Sequence, residues 1–400
     1  MRLKEGIKTN KNDYYLADAA SFIIGKIFIT GVIGALCNRI GFRGTNLSTI
    51  VSAIFYAIVL LRILGIIKKR FTKDMFFVIF FIPIMLCFTA LFYPDNTSYL
   101  YKNLANLLFY CIPSYLIFRS IENLDEFIKR LNYDMYFIFS IGIIYFFGFS
   151  LRNNIRGTLQ YDMPLSYSFV FPVLFFIYWG IKNKSILHFI LAFSGIILIL
   201  IQGSRGALLC VVVYFILYIL RGNIRIFKKI LYTFSITILT SIIYVNALQI
   251  LQSLNRKLLN YGIHSRTIDY VINGTIMDSS GRDIIRTNAI YYIESNNIFG
   301  LGLYGDRVVL NTYPHDVFLE VLMQFGLIVG GVLILLFIIL ILKVLFTKKI
   351  DICWREFALV LLSFSLVYKC LSGSYLNDPD FWMMIGFLNK TVSTNKKTIT

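Results

Sequence analysis

The chain has 400 residues, 58% of them hydrophobic and 16% aromatic, and only 15% are charged, well short of the roughly 25% typical of a water-soluble domain. Its formal net charge of +18 would suggest nucleic acid as a partner in a soluble protein, but the lysines and arginines sit in short gaps between apolar runs, with no basic stripe among stacking aromatics. Composition thus excludes a soluble enzyme and a nucleic-acid binder, and predicts one polytopic, all-α membrane bundle.

Spanning a bilayer takes about 20 mostly apolar residues. Twelve candidate spans follow in chain order, near 19–37, 47–67, 75–93, 100–118, 133–150, 164–181, 185–202, 206–220, 229–247, 317–345, 356–372 and 380–389. The eighth and twelfth are short, and the tenth is long enough to tilt or project. The chain therefore divides into residues 1–247 with spans one to nine, a long polar loop at 248–314, and residues 315–400 with spans ten to twelve. The polar N-terminus carries no small-residue cleavage pattern, so the first run is expected to stay as an anchor. The cysteines form no C-x-x-C pair, and no metal, cofactor or disulfide framework is expected.

Basic residues set the orientation. Lys68-Lys69-Arg70, Lys129-Arg130, Lys228-Lys229 and Lys348-Lys349 fall in one alternate set of gaps, which is placed in the cytoplasm with both termini. The loop at 248–314 then lies outside. Its six basic and five acidic residues, Asp306 and Arg307 among them, suit a surface in contact with water. A loop this long is usually functional or disordered. Ser280 and Asp283 fit a capping box for a helix over Ile284 to Ser295, ended by Gly300-Leu301-Gly302-Leu303, and a small folded cap over the bundle is expected.

Candidate functional residues all fall on the outer side. Arg152 and Arg156, four apart, oppose the general charge bias. Gln202-Gly203-Ser204-Arg205-Gly206-Ala207 is a tight turn whose arginine can offer a fork of donors to phosphate. Arg282 and Arg286 share one helix face. His315 follows Pro314, which suits a first helical turn, and the helix N-terminus would keep the imidazole neutral. Glu320 lies deeper, where a carboxylate is a functional candidate by default. Each of these has a plainer reading as an interfacial anchor or a solvated ion pair. Among intramembrane cations, Lys26 stands alone near the midplane, and Lys369 is placed where it can snorkel to the outer face.

Taken in order, Arg156-Gly157-Thr158, Ser204-Arg205-Gly206, Gly281-Arg282, Gly300-Leu301-Gly302 and a histidine opening the next span, with Gly326 and Gly330 beyond it, resemble the bacterial O-antigen ligases and O-antigen or capsule polymerases (Wzy-type). Asp316 departs from the pattern, because the family usually has asparagine or a similar polar residue there. The motifs cover roughly residues 150–330. The resemblance implies a metal-independent, inverting glycosyltransferase of the inner membrane. It would act in capsule or lipopolysaccharide biosynthesis on glycans linked to undecaprenyl pyrophosphate, among membrane lipid, with chain-length regulator and flippase proteins as partners. Arg205, Arg282 and His315 would be catalytic, and Arg152, Arg156, Arg286 and Glu320 would bind substrate. A ligase acting on a lipid A core is the nearest alternative. A flippase or transporter is the second; it would account for twelve spans but not for the long outer loop.

Overall fold

The computed structural model describes residues 11–39, 47–150, 163–222, 251–260, 265–274, 281–296 and 298–394. No strand occurs among them, as expected where lipid offers the backbone no hydrogen-bond partner and helices satisfy it internally. The helices are α1 (Asn12–Ile24), α2 (Lys26–Arg39), α3 (Leu47–Lys69), α4 (Lys73–Phe92), α5 (Thr97–Asn106), α6 (Ile112–Arg119), α7 (Leu124–Tyr145), α8 (Met163–Asn183), α9 (Ile186–Gln202), α10 (Arg205–Arg221), α11 (Arg266–Ile272), α12 (Arg282–Asn296), α13 (Gly305–Leu310), α14 (Val317–Phe346), α15 (Ile352–Leu361), α16 (Val367–Leu371) and α17 (Pro379–Thr394). Each apolar run read from the sequence is helical except the ninth, 229–247, which lies outside the described residues. Arg152 and Arg156 also lie outside them.

Among the described helices, α4, Leu124–Gly148, α8 and α14 are each long and apolar enough to cross a membrane, which makes this a membrane protein. The first run is not one straight span: α1 and α2 meet at Gly25 with a bend of 63°. The twelfth is longer than its apolar stretch suggested, because Asp380 and Asn389 interrupt the pattern while α17 packs its length against α6. There Gly386 lets the two backbones touch: a Cβ at that position would come 2.5 Å from the Tyr115 carbonyl oxygen.

The bundle is built around α8. Its Phe169, Phe171, Phe175 and Phe176 have no exposed surface, and α7, α9, α10 and α15 pack around it. By contrast, α4 and α14 leave rows of apolar side chains uncovered, Phe76, Phe77 and Phe80 on one and Leu335 and Leu336 on the other. A helix that is apolar all round and uncovered faces lipid.

The tenth run does not tilt as one rod. Gly326 (φ 75°, ψ 175°) breaks α14, and the carbonyls freed there are taken up by the end of the long loop. Leu301 N–H donates to Met323 O at 2.8 Å and Gly302 N–H to Gln324 O at 3.0 Å. The approach is so close that a Cβ on Gly300 would lie 2.4 Å from Gly326 N, and one on Gly326 would lie 2.3 Å from Ile298 O. Asn96 Nδ2 holds the other side of the same stretch, donating to Leu301 O (2.8 Å) and Leu303 O (3.1 Å). Glycines that read as a helix stop are thus the seat of the loop on the bundle.

Two buried ionic clusters overturn sequence expectations. Asp306 and Arg307, expected on a wet surface, are 0% and 4% exposed. Arg307 pairs with Asp306 (2.6 Å) and with Glu320 (2.8 Å), while Ser374, Gln324 and Tyr375 satisfy the remaining oxygens. Lys369 does not snorkel. It has no exposed surface and pairs with Asp378 (3.0 Å) and Asp380 (2.9 Å).

Candidate functional site

Three of the residues singled out in the sequence, Arg282, Arg286 and His315, converge on the main chain at 370–372, and the turn that carries Arg205 lies beside it. The turn ahead of α10 is built by local rules. Gly203, in the left-handed region (φ 79°), closes α9, as glycine commonly does at a helix end. Ser204 then caps α10 by accepting from Ala207 N. Arg205 occupies the first helical position and lies over the Tyr270 ring of α11, 4.3 Å from its centroid, a cation–π contact. Its neighbour Gly206 abuts the Tyr167 hydroxyl and, at 3.3 Å from its missing Cβ, the Leu371 side chain.

That same Leu371 receives Arg282. The first residue of α12, Arg282 donates from Nη1 to Leu371 O at 2.8 Å. One turn on, Arg286 donates from Nη2 to Cys370 O (2.8 Å) and to His315 O (3.2 Å). The spacing of four does put both guanidiniums on one face of α12, and that face docks on α16 and the segment before α14. The capping serine proposed for α12, Ser280, lies outside the described residues. Among the described residues, neither arginine is held by a carboxylate: ion pairs with Asp283 or Glu294 do not form, and Asp278, the third partner in the plainer reading, lies outside the described residues.

His315 sits differently from expectation. Pro314 does not open the helix. α14 starts at Val317, with Asp316 as its cap, accepting from Phe318 N (2.9 Å) and Leu319 N (3.2 Å). Asp316, the departure from the family pattern, therefore has a local structural task that asparagine performs as well. His315 precedes the cap in the left-handed region (φ 57°), a strained conformation for a residue with a Cβ, of the kind that clusters at functional sites. Its ring lies 4.3 Å from that of Tyr313.

The imidazole pKa is lowered to about 4, first by burial and then by the Arg282 guanidinium, with Arg286 adding to the effect. The ring is thus neutral at pH 7, but through burial and neighbouring cations rather than through the helix terminus. Nδ1 of His315 and Nε of Arg286 are both buried without a hydrogen-bond partner. Orphaned buried polar atoms cost about 1–3 kcal/mol each, and two on adjacent residues mark a place where a polar ligand belongs.

Glu320, expected to meet substrate, is instead 1% exposed. Its Oε1 accepts from Arg307 and Ser374, and its Oε2 from the Tyr375 N–H. Sequence reasoning missed the 370–372 main chain, since a backbone carbonyl leaves no mark in side-chain identity. It also missed Tyr167, which read as one more apolar-span residue.

Residues 189–334, just over a third of the chain, match the family model described as O-antigen ligase. The matched stretch runs from α9 to beyond the break in α14. It takes in Arg205, Arg282, Arg286, His315 and the glycines that seat the loop. It is similar to the family that the sequence motifs resemble. No curated protein matches the chain closely.

Proposed function

We propose, from that family likeness, that the protein works in polysaccharide assembly as a polymerase of lipid-linked repeat units, transferring glycan from undecaprenyl pyrophosphate to a lipid-linked acceptor at the outer face of the cytoplasmic membrane. The observation that carries the reading is the pair Arg282 and Arg286, held by main-chain carbonyls beside a neutral His315 whose Nδ1 has no partner.

The chemistry follows from these groups. The acceptor hydroxyl attacks the anomeric carbon of the donor sugar. As the new C–O bond forms, the bond to the diphosphate oxygen breaks and its electron pair leaves with the diphosphate. Attack from the face opposite the leaving group inverts the anomeric centre. Guanidiniums already fixed where that negative charge grows stabilise the transition state without reorganising. Arg282 and Arg286 take this role, with Arg205 beside them at the start of α10. The hydroxyl proton passes to His315, which is uncharged and can accept it. A base with a pKa near 4 is weak. An anionic diphosphate resting on Arg282 and Arg286 would offset their repulsion of the imidazolium, so donor binding strengthens the base that the reaction needs.

Reconstitution with a defined lipid-linked repeat unit tests the reading. A ladder of products on a gel supports polymerisation. A single addition to a lipid A core acceptor, with no ladder, would replace it with the ligase reading that the matched family's description favours.

A further inference from the structure

A polar cavity lies beside the arginine site and shares none of its cations. Its volume is about 350 Å³, and it is lined by Lys26, Asn106, Ser168, Tyr368 and Asp378 among others. That lies in the usual range for small-molecule pockets, about 300–1,000 Å³. Tyr167 forms part of its wall and also abuts Gly206, so the cavity adjoins the start of α10. Part of its wall is the bend between α1 and α2, where Lys26 begins the second helix.

The lining carries charges of both signs. Lys26 Nζ lies 3.4 Å from Asn106 Oδ1 and 3.5 Å from the centre of the Tyr110 ring. No carboxylate among the described residues is within ion-pair distance of it. Asp378 and Asp380 line the same cavity, and both are drawn to Lys369. Asp378 uses Oδ2 for that pair and for the Ser374 N–H, and 27% of its side chain remains exposed.

An ammonium largely out of water is costly without an anionic partner. A neutral hydroxyl offsets little of that cost; a carboxylate offsets much more. The carboxylates of the lining repel a dianion more strongly than a monoanion, and they accept hydrogen bonds from hydroxyls. Tyr167 and Tyr368, whose rings pack on each other with centroids 4.0 Å apart, add aromatic edges to the lining. A diphosphate fits the arginines and not this cavity.

We propose that the cavity is a subsite for an acidic sugar of the glycan, whose carboxylate meets Lys26 and whose ring hydroxyls donate to Asp378. The proposal rests on the reading that the protein handles glycans. It extends that reading to the chemical class of one sugar residue.

The test is binding of methyl glucuronoside and methyl glucoside to the full-length protein in lipid nanodiscs, followed by saturation-transfer NMR. The glucuronoside should bind at least ten-fold more tightly than the glucoside. Lys26→Gln should weaken it by about 10–100-fold and leave the glucoside unchanged, while Lys26→Arg retains binding within a few-fold. Equal binding of the two glycosides to the unmodified protein would overturn the proposal without recourse to any variant. Tighter binding of glucose 6-phosphate than of the glucuronoside, or displacement of the glucuronoside by inorganic pyrophosphate, would overturn it as well. The assay requires no transfer. A protein that binds the glucuronoside but never lengthens a glycan would refute the polymerase reading and leave this subsite standing.

Discussion

Replacing Arg307 by methionine tests what holds the N-terminal end of α14. The substitution keeps an unbranched apolar stem, shortens the side chain and removes the charge. It deletes two hydrogen bonds to Asp306 (2.8 and 2.6 Å), one to Glu320 (2.8 Å) and one to Ser374 (2.6 Å). The carboxylates left behind are 0% and 1% exposed, so water cannot take the place of the guanidinium. Removing one partner of a buried ion pair costs about 3–5 kcal/mol, and here two carboxylates lose their cation together. The penalty belongs to the stranded charges, so neutralising them should return much of it. Arg307→Met combined with Asp306→Asn and Glu320→Gln is expected to regain at least half the loss. Equilibrium denaturant unfolding of the purified protein in nanodiscs measures both variants. An unchanged midpoint for Arg307→Met, or a triple variant no more stable than the single one, would show that the network does not stabilise the fold in this way.

Alanine at Arg205, Arg282 or His315 should leave the protein in the membrane but lower chain elongation about 10²–10³-fold; normal product length in all three, read on a gel after reconstitution, would remove them from the reaction. The acid limb of kcat/KM should lie near pH 4, where free His315 takes up a proton. The acid limb of kcat should lie higher, because bound diphosphate offsets the cations that depress the imidazole; a kcat limb at the same or lower pH contradicts that coupling. Gly326→Ala places a Cβ 2.3 Å from Ile298 O in a left-handed backbone conformation, and should destabilise by more than the roughly 1 kcal/mol that the same change gains at a compatible site; limited proteolysis within 298–303 should quicken, and unchanged cleavage there would dissociate Gly326 from the seating of the loop.

Helix positions were legible because a spanning helix needs a long apolar run, and such runs are visible one residue at a time. Departures from straightness were not. The bend at Gly25, the break at Gly326 and the wide turns at Leu107–Cys111 and Leu362–Leu366 depend on what each helix packs against. Charge placement misled where partners lie apart in the chain. Arg307 and Glu320 are thirteen residues apart and were read separately, one as surface and the other as site. Lys369 looks bound for the headgroups when basic residues alone are weighed, but Asp378 and Asp380 hold it in the interior. Lys26 looks isolated because the carboxylates that line its cavity lie at the far end of the sequence. At the candidate site, the spacing of Arg282 and Arg286 gave their shared face, and Gly203-Ser204 gave the turn that begins α10. The anchors of both arginines are carbonyls of α16, and nothing in the sequence names them.

Those anchors matter for how the site behaves as its surroundings change. A carboxylate that positions an arginine also cancels its charge and releases it on protonation. The Leu371 and Cys370 carbonyls do neither. They fix the guanidiniums through acidification as well as at neutrality, and among the described residues no carboxylate holds either arginine as a counter-ion that an arriving anion would displace. Acid can therefore silence the histidine while the anion grip stays in register, so affinity for the donor should outlast turnover as the medium sours.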